Sequence, residues 1–386
     1  MIYLDNAATT YPKPRSVQTA VAQAFQRWGA NPGRAGHAMA MASSQEMYRC
    51  RSIAADFFHA PGPECVSFTL NCTGAINCVL KGLLKPGDHV VTSCIEHNAV
   101  MRPLHELEKT GVTFTEVQVF PGDNDKTVDA FRYAFQENTH LVICTHASNV
   151  WGIRLPVERI AALAHQYEIP VAVDCAQSAG VLPIDMADSK IDYLCIAGHK
   201  GLYGPMGTGM LITPYGSELH TLIEGGTGTE SILEEQPSGA PERLESGTQN
   251  MPGIAGLRAG MEFVQKHGVS KIHSYEISLL QMLYSQFSKI DRVHLYLPMP
   301  DTRYFAPVLS FNIDGMQSEE VGSRLNGYGI ALRAGLHCAP EAHHFMGTLE
   351  CGAVRVCPSV FTTEADIWRL VDAVKRILMK KSGAGH

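Results

Sequence analysis

Short apolar runs alternate with amphipathic stretches through the first two thirds of the chain. Residues 65–70, 89–93, 141–145, 171–175 and 192–197 read as strands. Residues 73–84 and 156–167 read as helices, the second with proline at its start and a spaced apolar face. The strands are apolar almost throughout rather than alternating, the pattern of a sheet buried on both faces. Strands separated by helices predict a mainly parallel sheet with helices on either side. Polar residues gather where these strands end: His97, His146, Asn149, Asp174, Gln177, His199 and Lys200. In open α/β sheets a ligand sits outside the carboxyl ends of the strands, so this clustering predicts one shared site.

The pattern changes near residue 250. Residues 254–266 and 270–288 read as long helices, 305–313 as a strand, and 318–328 and 364–380 as further helices. The expected organisation is α/β: a large domain over residues 15–255, and a smaller α+β domain made of residues 1–14 and 256–386. The tail 380–386 is expected to fray.

Composition narrows the function classes. Apolar residues make up 45% of the 386 and charged residues 18%, enough for a large core. The net charge is −7 and no basic stripe is present, which argues against nucleic acid and anionic membrane surfaces as partners. No apolar run reaches the roughly 18 residues of a membrane span. The start, Met1-Ile2-Tyr3-Leu4-Asp5, lacks a signal-peptide pattern, so a cytoplasmic location is expected. The eleven cysteines are scattered, several within strand-like runs, as expected of reduced, buried thiols.

The strand ending in Asp174 and the strand running into Gly198-His199-Lys200-Gly201 carry the sharpest chemistry. A lysine able to form an imine, beside a carboxylate able to keep a pyridine nitrogen protonated, is the requirement of pyridoxal phosphate. Asn71-Cys72-Thr73-Gly74-Ala75 joins a strand to a helix, where free N–H groups and the helix dipole suit a phosphate. His97 follows a strand end, where an imidazole can stack on the cofactor ring and shuttle protons. Gln177, three residues past Asp174, is within reach of the ring oxygen, and Asn149 of a substrate carboxylate.

Several ordered motifs together resemble the cysteine desulfurases of the class V aminotransferase group, proteins of pyridoxal-phosphate fold type I with a seven-stranded sheet. These are Tyr3-Leu4-Asp5-Asn6-Ala7-Ala8-Thr9-Thr10, Glu96-His97-Asn98, His146-Ala147-Ser148-Asn149-Val150-Trp151-Gly152, Asp174-Cys175-Ala176-Gln177-Ser178 and Gly198-His199-Lys200. Leu244-Glu245-Ser246-Gly247-Thr248-Gln249-Asn250 and Arg333-Ala334-Gly335-Leu336-His337-Cys338-Ala339 continue them. The likeness runs from residue 2 to about residue 378, and the short segment around Cys338 resembles the SufS/selenocysteine-lyase-like branch (type II) more than the IscS-like one.

The resemblance implies a role for each residue. Lys200 carries the cofactor, Asp174 pairs its ring nitrogen, Gln177 contacts the ring oxygen and His97 stacks on the ring. Thr73, Gly74 and His199 hold the phosphate, while Thr248 reaches the phosphate of a partner subunit, which implies a homodimer with shared sites. Asn149 and Arg355 bind the carboxylate of L-cysteine, and Arg333 lies at the same site; a guanidinium fork matches a carboxylate. Lys200 takes the α-proton, and the Cys338 thiolate attacks the substrate sulfur, leaving a persulfide for a sulfur-acceptor protein and releasing alanine. His337 and Arg333 are close enough in sequence to favour the thiolate.

The chain departs from the family at Ala197, where a serine is usual, and at Leu336, where a histidine is common. Arg34-Ala35-Gly36-His37 only approximates a branch signature and carries no role. Other readings within the fold are a selenocysteine lyase and an aminotransferase-fold enzyme acting on a different amino acid. A zinc site among His337, Cys338, His343, His344, Cys351 and Cys357 meets the spacing rules poorly.

Overall fold

The computed structural model describes residues 1–32 and 36–382, so the approximate signature at Arg34-Ala35 lies outside the described residues. The chain opens with strand β1 (Ile2–Tyr3) and helices α1 (Arg15–Arg27) and α2 (Ala38–Phe58). It then runs β2 (Val66–Thr69), α3 (Cys72–Leu83), β3 (His89–Ser93), α4 (Asn98–Glu108), β4 (Thr113–Val117), α5 (Asn124–Ala134), β5 (Thr139–Thr145) and α6 (Val157–Ala164). Next come β6 (Val171–Asp174), α7 (Met186–Ser189), β7 (Tyr193–Ala197) and β8 (Gly209–Ile212). The last third contains α8 (Met251–His267), α9 (Val269–Phe287), β9 (Val293–Leu295), β10 (Leu309–Ile313), α10 (Ser318–Gly327), β11 (Ile330–Ala331), β12 (Arg333–Gly335), α11 (Pro340–Phe345), β13 (Ala353–Val356) and α12 (Glu364–Ser382).

Seven strands form the main sheet in the order β2-β8-β7-β6-β5-β3-β4. β8 is antiparallel to both its neighbours, and the remaining strands run the same way. Every residue of β3, β6, β7 and β8 is buried, as continuous apolar runs require. Helices cover both faces: one core includes Val91, Val142, Val173 and Leu194, and another includes Val90, Leu141, Ala172 and Cys195. The alternation of side chains along each strand sends neighbours to opposite cores.

A four-stranded antiparallel sheet, β12-β13-β10-β9, has its own core with Leu280, Phe287, Phe311, Val354 and Val371. The predicted strand 305–313 shortens to Leu309–Ile313; the preceding segment, with Pro307, instead reaches back to Gly152, whose carbonyl accepts from Ala306 N at 2.8 Å. Helix α12 continues to Ser382, into the stretch expected to fray, and 383–386 lie outside the described residues.

The amino end of the chain is stitched to distant segments. Ile2 N donates to Gly329 O and Leu4 N to Ala331 O, both at 2.8 Å, and Cys357 N donates to Leu4 O at 2.8 Å. Thr10 N and Lys13 Nζ both reach His199 O, at 3.2 and 2.7 Å. Among the described residues no helix is long and apolar enough to cross a membrane.

Candidate active site

The common direction of β2, β3, β5, β6 and β7 puts their carboxyl ends along one edge, and the predicted residues follow from those ends. Lys200 lies three residues past β7, and burial lowers its amine pKa while Asp174 acts in the opposite direction. Asp174 closes β6, is 4% exposed, and accepts from Ala176 N at 2.8 Å and the Cys72 thiol at 3.2 Å through the same Oδ1. Cys72 begins α3, so this contact pins the helix start against the carboxylate. Asn71 caps α3, its Oδ1 accepting from Gly74 N at 2.9 Å, with Thr73 in the first turn.

His97 caps α4, its Nδ1 accepting from Ala99 N at 3.0 Å, and that bond fixes the ring. Burial lowers its pKa; Asp174 opposes this, and Lys200, Arg333 and Arg355 add to it, so all four groups converge on one imidazole. The adjacent Glu96 explains how the ring is placed. Its fully buried Oε1 accepts from Ser93 at the end of β3 and from Thr145 N, at 2.8 Å, at the end of β5. Burial pushes the Glu96 pKa up to about 8. The folded state therefore holds a proton that the unfolded chain releases. Stability from this group is full below about pH 4.5 and is lost as pH rises to about 8. Glu96→Gln, which keeps an acceptor for Thr145 N, is expected to flatten that slope in urea titrations across the window. Glu96→Ala leaves the Thr145 amide unpaired and is expected to cost about 1–3 kcal/mol at acid pH, where the wild-type carboxyl keeps its proton.

Gln177 Nε2 donates to Ala7 O at 2.9 Å, which ties the Asp174 loop to the amino end. His199 is pushed down to about pKa 4, first by burial and then by Lys200 and Lys13, and its buried Nδ1 has no partner among the described residues. Thr248 lines a groove of about 360 Å3 together with Asn71 and Gly74.

The second sheet supplies the cations. β12 and β13 pair so that Arg333 and Arg355 stand directly opposite each other. Two like charges across a ladder repel, which favours an anion between or beside them. Arg355 is 1% exposed; Nη2 bonds Asp5 Oδ1 at 2.7 Å, Nη1 bonds Asn149 O at 3.0 Å, and Nε is buried without a partner among the described residues. Asn149 Nδ2 donates to His337 O at 2.8 Å.

Cys338 is exposed, and Arg333 Nη2 stands 3.7 Å from its sulfur. Its carbonyl accepts from Asn98 N at 2.8 Å, one residue past His97. The expectation that His337 assists this thiol is corrected. His337 is 3% exposed, its Nε2 bonds Ala353 O at 3.0 Å, and burial pushes its pKa down to about 2, so it is neutral and faces the second sheet. His337 and Cys338 both adopt left-handed backbone, with φ of 53° and 57°, and this turn separates the two neighbouring side chains. The sequence motifs suggested no role for Asp5, Cys72 or Glu96, although all three stand inside them; Asp5 and Cys72 find their partners far away in the chain, and Glu96 reaches Thr145 49 positions on as well as nearby Ser93.

The sequence pattern of the family "Aminotransferase class-V" matches residues 2–370. A probable cysteine desulfurase of Methanothermobacter thermautotrophicus is 34% identical over 97% of this chain and 94% of its own. A cysteine desulfurase of Cronobacter sakazakii is 33% identical over 98% of this chain and 93% of its own. Among solved structures, the apo cysteine desulfurase of Thermococcus onnurineus NA1 superposes with a TM-score of 0.91 at 28% identity, covering 98% of this chain and 95% of that one. The Escherichia coli cysteine desulfurase CsdA, in an S-sulfonic acid form, gives 0.86 at 28% identity, covering 98% and 94%. With nearly the whole chain matched in sequence and in fold, this protein belongs to the class V aminotransferase family.

Proposed function

We propose that the chain is a pyridoxal-phosphate-dependent cysteine desulfurase that converts L-cysteine to L-alanine and takes the sulfur on Cys338. The observation that carries this reading is the bond from Asn98 N to Cys338 O, which holds an exposed thiol against the helix start capped by His97. The residues present fit the cofactor. A buried amine lies near a buried carboxylate, the buried Nδ1 of His199 awaits an acceptor or donor, and the start of α3 opens on the same edge of the sheet.

Bound there, pyridoxal phosphate supplies an electron sink that acidifies a substrate Cα–H. The chain's own residues do the rest. Asp174 offers a carboxylate to the ring nitrogen, with Oδ1 already oriented by Cys72 and Ala176. His97 would cover the ring, Gln177 would reach the ring oxygen, and Thr73, Gly74 and His199 would hold the phosphate. Thr248 would serve the phosphate of the second subunit in a homodimer with shared sites. Arg355, supported by Arg333 and Asn149, binds the substrate carboxylate; Asp5 preorganises the Arg355 fork before substrate arrives. Lys200, whose amine pKa is lowered by burial, accepts the α-proton.

Cys338, with the Arg333 guanidinium beside it, attacks the substrate sulfur as a thiolate and passes that sulfur to an acceptor protein. Residues 15–255 form the cofactor domain in this reading, and 1–14 with 256–386 the smaller one. All eleven cysteines are unpaired, which suits a reducing cytoplasm. Incubating the cofactor-loaded protein with L-cysteine is expected to give equal amounts of alanine and transferable sulfur. A keto acid product in place of alanine would sink the proposal.

A further inference from the structure

Helix α9 buries a carboxyl that none of the roles above uses. Glu276 is 3% exposed, and burial raises its pKa well above the usual carboxylate range, favouring the protonated form. Among the described residues no ion pair or hydrogen bond reaches its side chain. The titratable groups that face it are the Tyr203 phenol, from the loop after Lys200, and the Cys357 thiol, just past β13; Tyr275 neighbours it on α9 itself. Cys357 senses both Glu276 and Lys200 and therefore lies in reach of each.

The two groups meet at a cavity. A space of about 20 Å3 is walled by Glu276, Lys200, Tyr203, Thr10, Cys357 and Ser359. Roughly 10–15 Å3 suffices for one water when polar partners surround it, and a carboxyl, an amine, a phenol and two hydroxyls do so here. Tyr203 holds the wall in place: its N–H donates to Lys200 O at 2.8 Å, and its hydroxyl accepts from Val360 N at 3.3 Å.

The proposed desulfurase reaction, on which this inference rests, needs a second proton. L-cysteine and the Cys338 thiol become alanine and a Cys338 persulfide. At the substrate Cβ a C–S bond breaks and a C–H bond forms; carbon is reduced, the two sulfurs are oxidised as the S–S bond forms, and no outside oxidant enters. Lys200 can return to Cα the proton it took from there. The proton for Cβ matches in number the one the Cys338 thiol sheds on becoming a thiolate.

We infer that Glu276 stores this second proton and reloads Lys200 with it through a water in the shared cavity. Lys200 delivers one proton to carbon, receives another from Glu276, and delivers again; Glu276 then regains a proton from solvent. Glu276 is thus a positioning residue that acts only through Lys200.

The test is Glu276→Gln, which keeps the shape and the capacity to hydrogen-bond a cavity water but releases no proton. In the cofactor-loaded enzyme, alanine formation is expected to fall about tenfold or more, within the range of general acid catalysis, with cofactor loading and melting temperature unchanged. The wild-type rate should decline on the alkaline side as Glu276 ionises; Glu276→Gln should lack that limb, and Glu276→Asp should restore it at a displaced pH. Infrared difference spectra of the cofactor-free protein give an independent readout. Of the protonated-carboxyl bands at neutral pH, to which Glu96 also contributes, one should vanish in Glu276→Gln and shift in Lys200→Ala. Unchanged alanine formation and pH profile in Glu276→Gln, or a set of protonated-carboxyl bands that Glu276→Gln leaves intact, overturns this role alone. Failure of the wild type to release alanine from L-cysteine overturns the desulfurase reading, and this inference with it.

Discussion

Lys200→Ala is expected to lose stable attachment of pyridoxal phosphate and to reduce alanine formation by about 10^3-fold or more. One group is asked to anchor the cofactor and to move protons, and general acid–base work alone contributes about 10^2–10^4. Asp174 lies at the end of the neighbouring strand, registered against Cys195 of β7, and that pairing fixes where the amine stands. The variant should fold, because removing a buried amine relieves a desolvation cost rather than opening a satisfied bond. Borohydride reduction of the loaded wild type, followed by peptide mass analysis, should place the cofactor on Lys200 and on no other lysine. Full turnover in the variant would dismiss the assignment.

Cys338→Ser should behave in the opposite way. The yellow colour of the loaded protein should persist, since the thiol sits outside the sheet edge that holds Lys200 and Asp174. Sulfur transfer from L-cysteine should fall to background, because a hydroxyl beside Arg333 is a poor nucleophile toward sulfur. Mass analysis of the wild type after brief exposure to L-cysteine should show a sulfur adduct on Cys338 alone, the one cysteine of the eleven that is exposed. An adduct on Cys94 or Cys78, both half-buried, would move the acceptor elsewhere. Cleavage of selenocysteine that survives in the serine variant would show that Lys200 and Asp174 still work without the thiol.

The parallel core of the sheet was legible because a strand covered on both faces has no polar side to write into the sequence: β3, β5, β6 and β7 are the runs expected. β4 was not, since it is the sheet's edge and its residues are mostly exposed or half-buried. β8 begins with a glycine and follows a glycine-rich loop, which hides a fully buried strand. Helix α2 went unread because its buried positions include Ala40, Ser43, Glu46 and Arg51, small or polar residues without an apolar stripe. Its charges are satisfied internally: Arg51 pairs with Glu245 at 2.6 Å, and Glu46 with Arg258 of α8 at 2.5 Å.

In the candidate site, the residues placed at the end of their own strand were readable, because strand ends are visible in sequence. Contacts between segments were not. Asp5 meets Arg355 across 350 positions, and Cys72 meets Asp174 across 102. His337 misled because adjacency in sequence says nothing about direction when two successive residues turn left-handed.

The stitching of the amino end has a consequence for biosynthesis. Residues 2–6 leave the ribosome more than 320 positions ahead of their partners at 329–331 and 355–357. The seven-stranded sheet can collapse long before then, with Lys200 already at its edge. Until residue 355 is out, Asp5 lacks its guanidinium partner, and a product truncated before Arg355 keeps the lysine but lacks the cation pair that would seat an amino acid beside it.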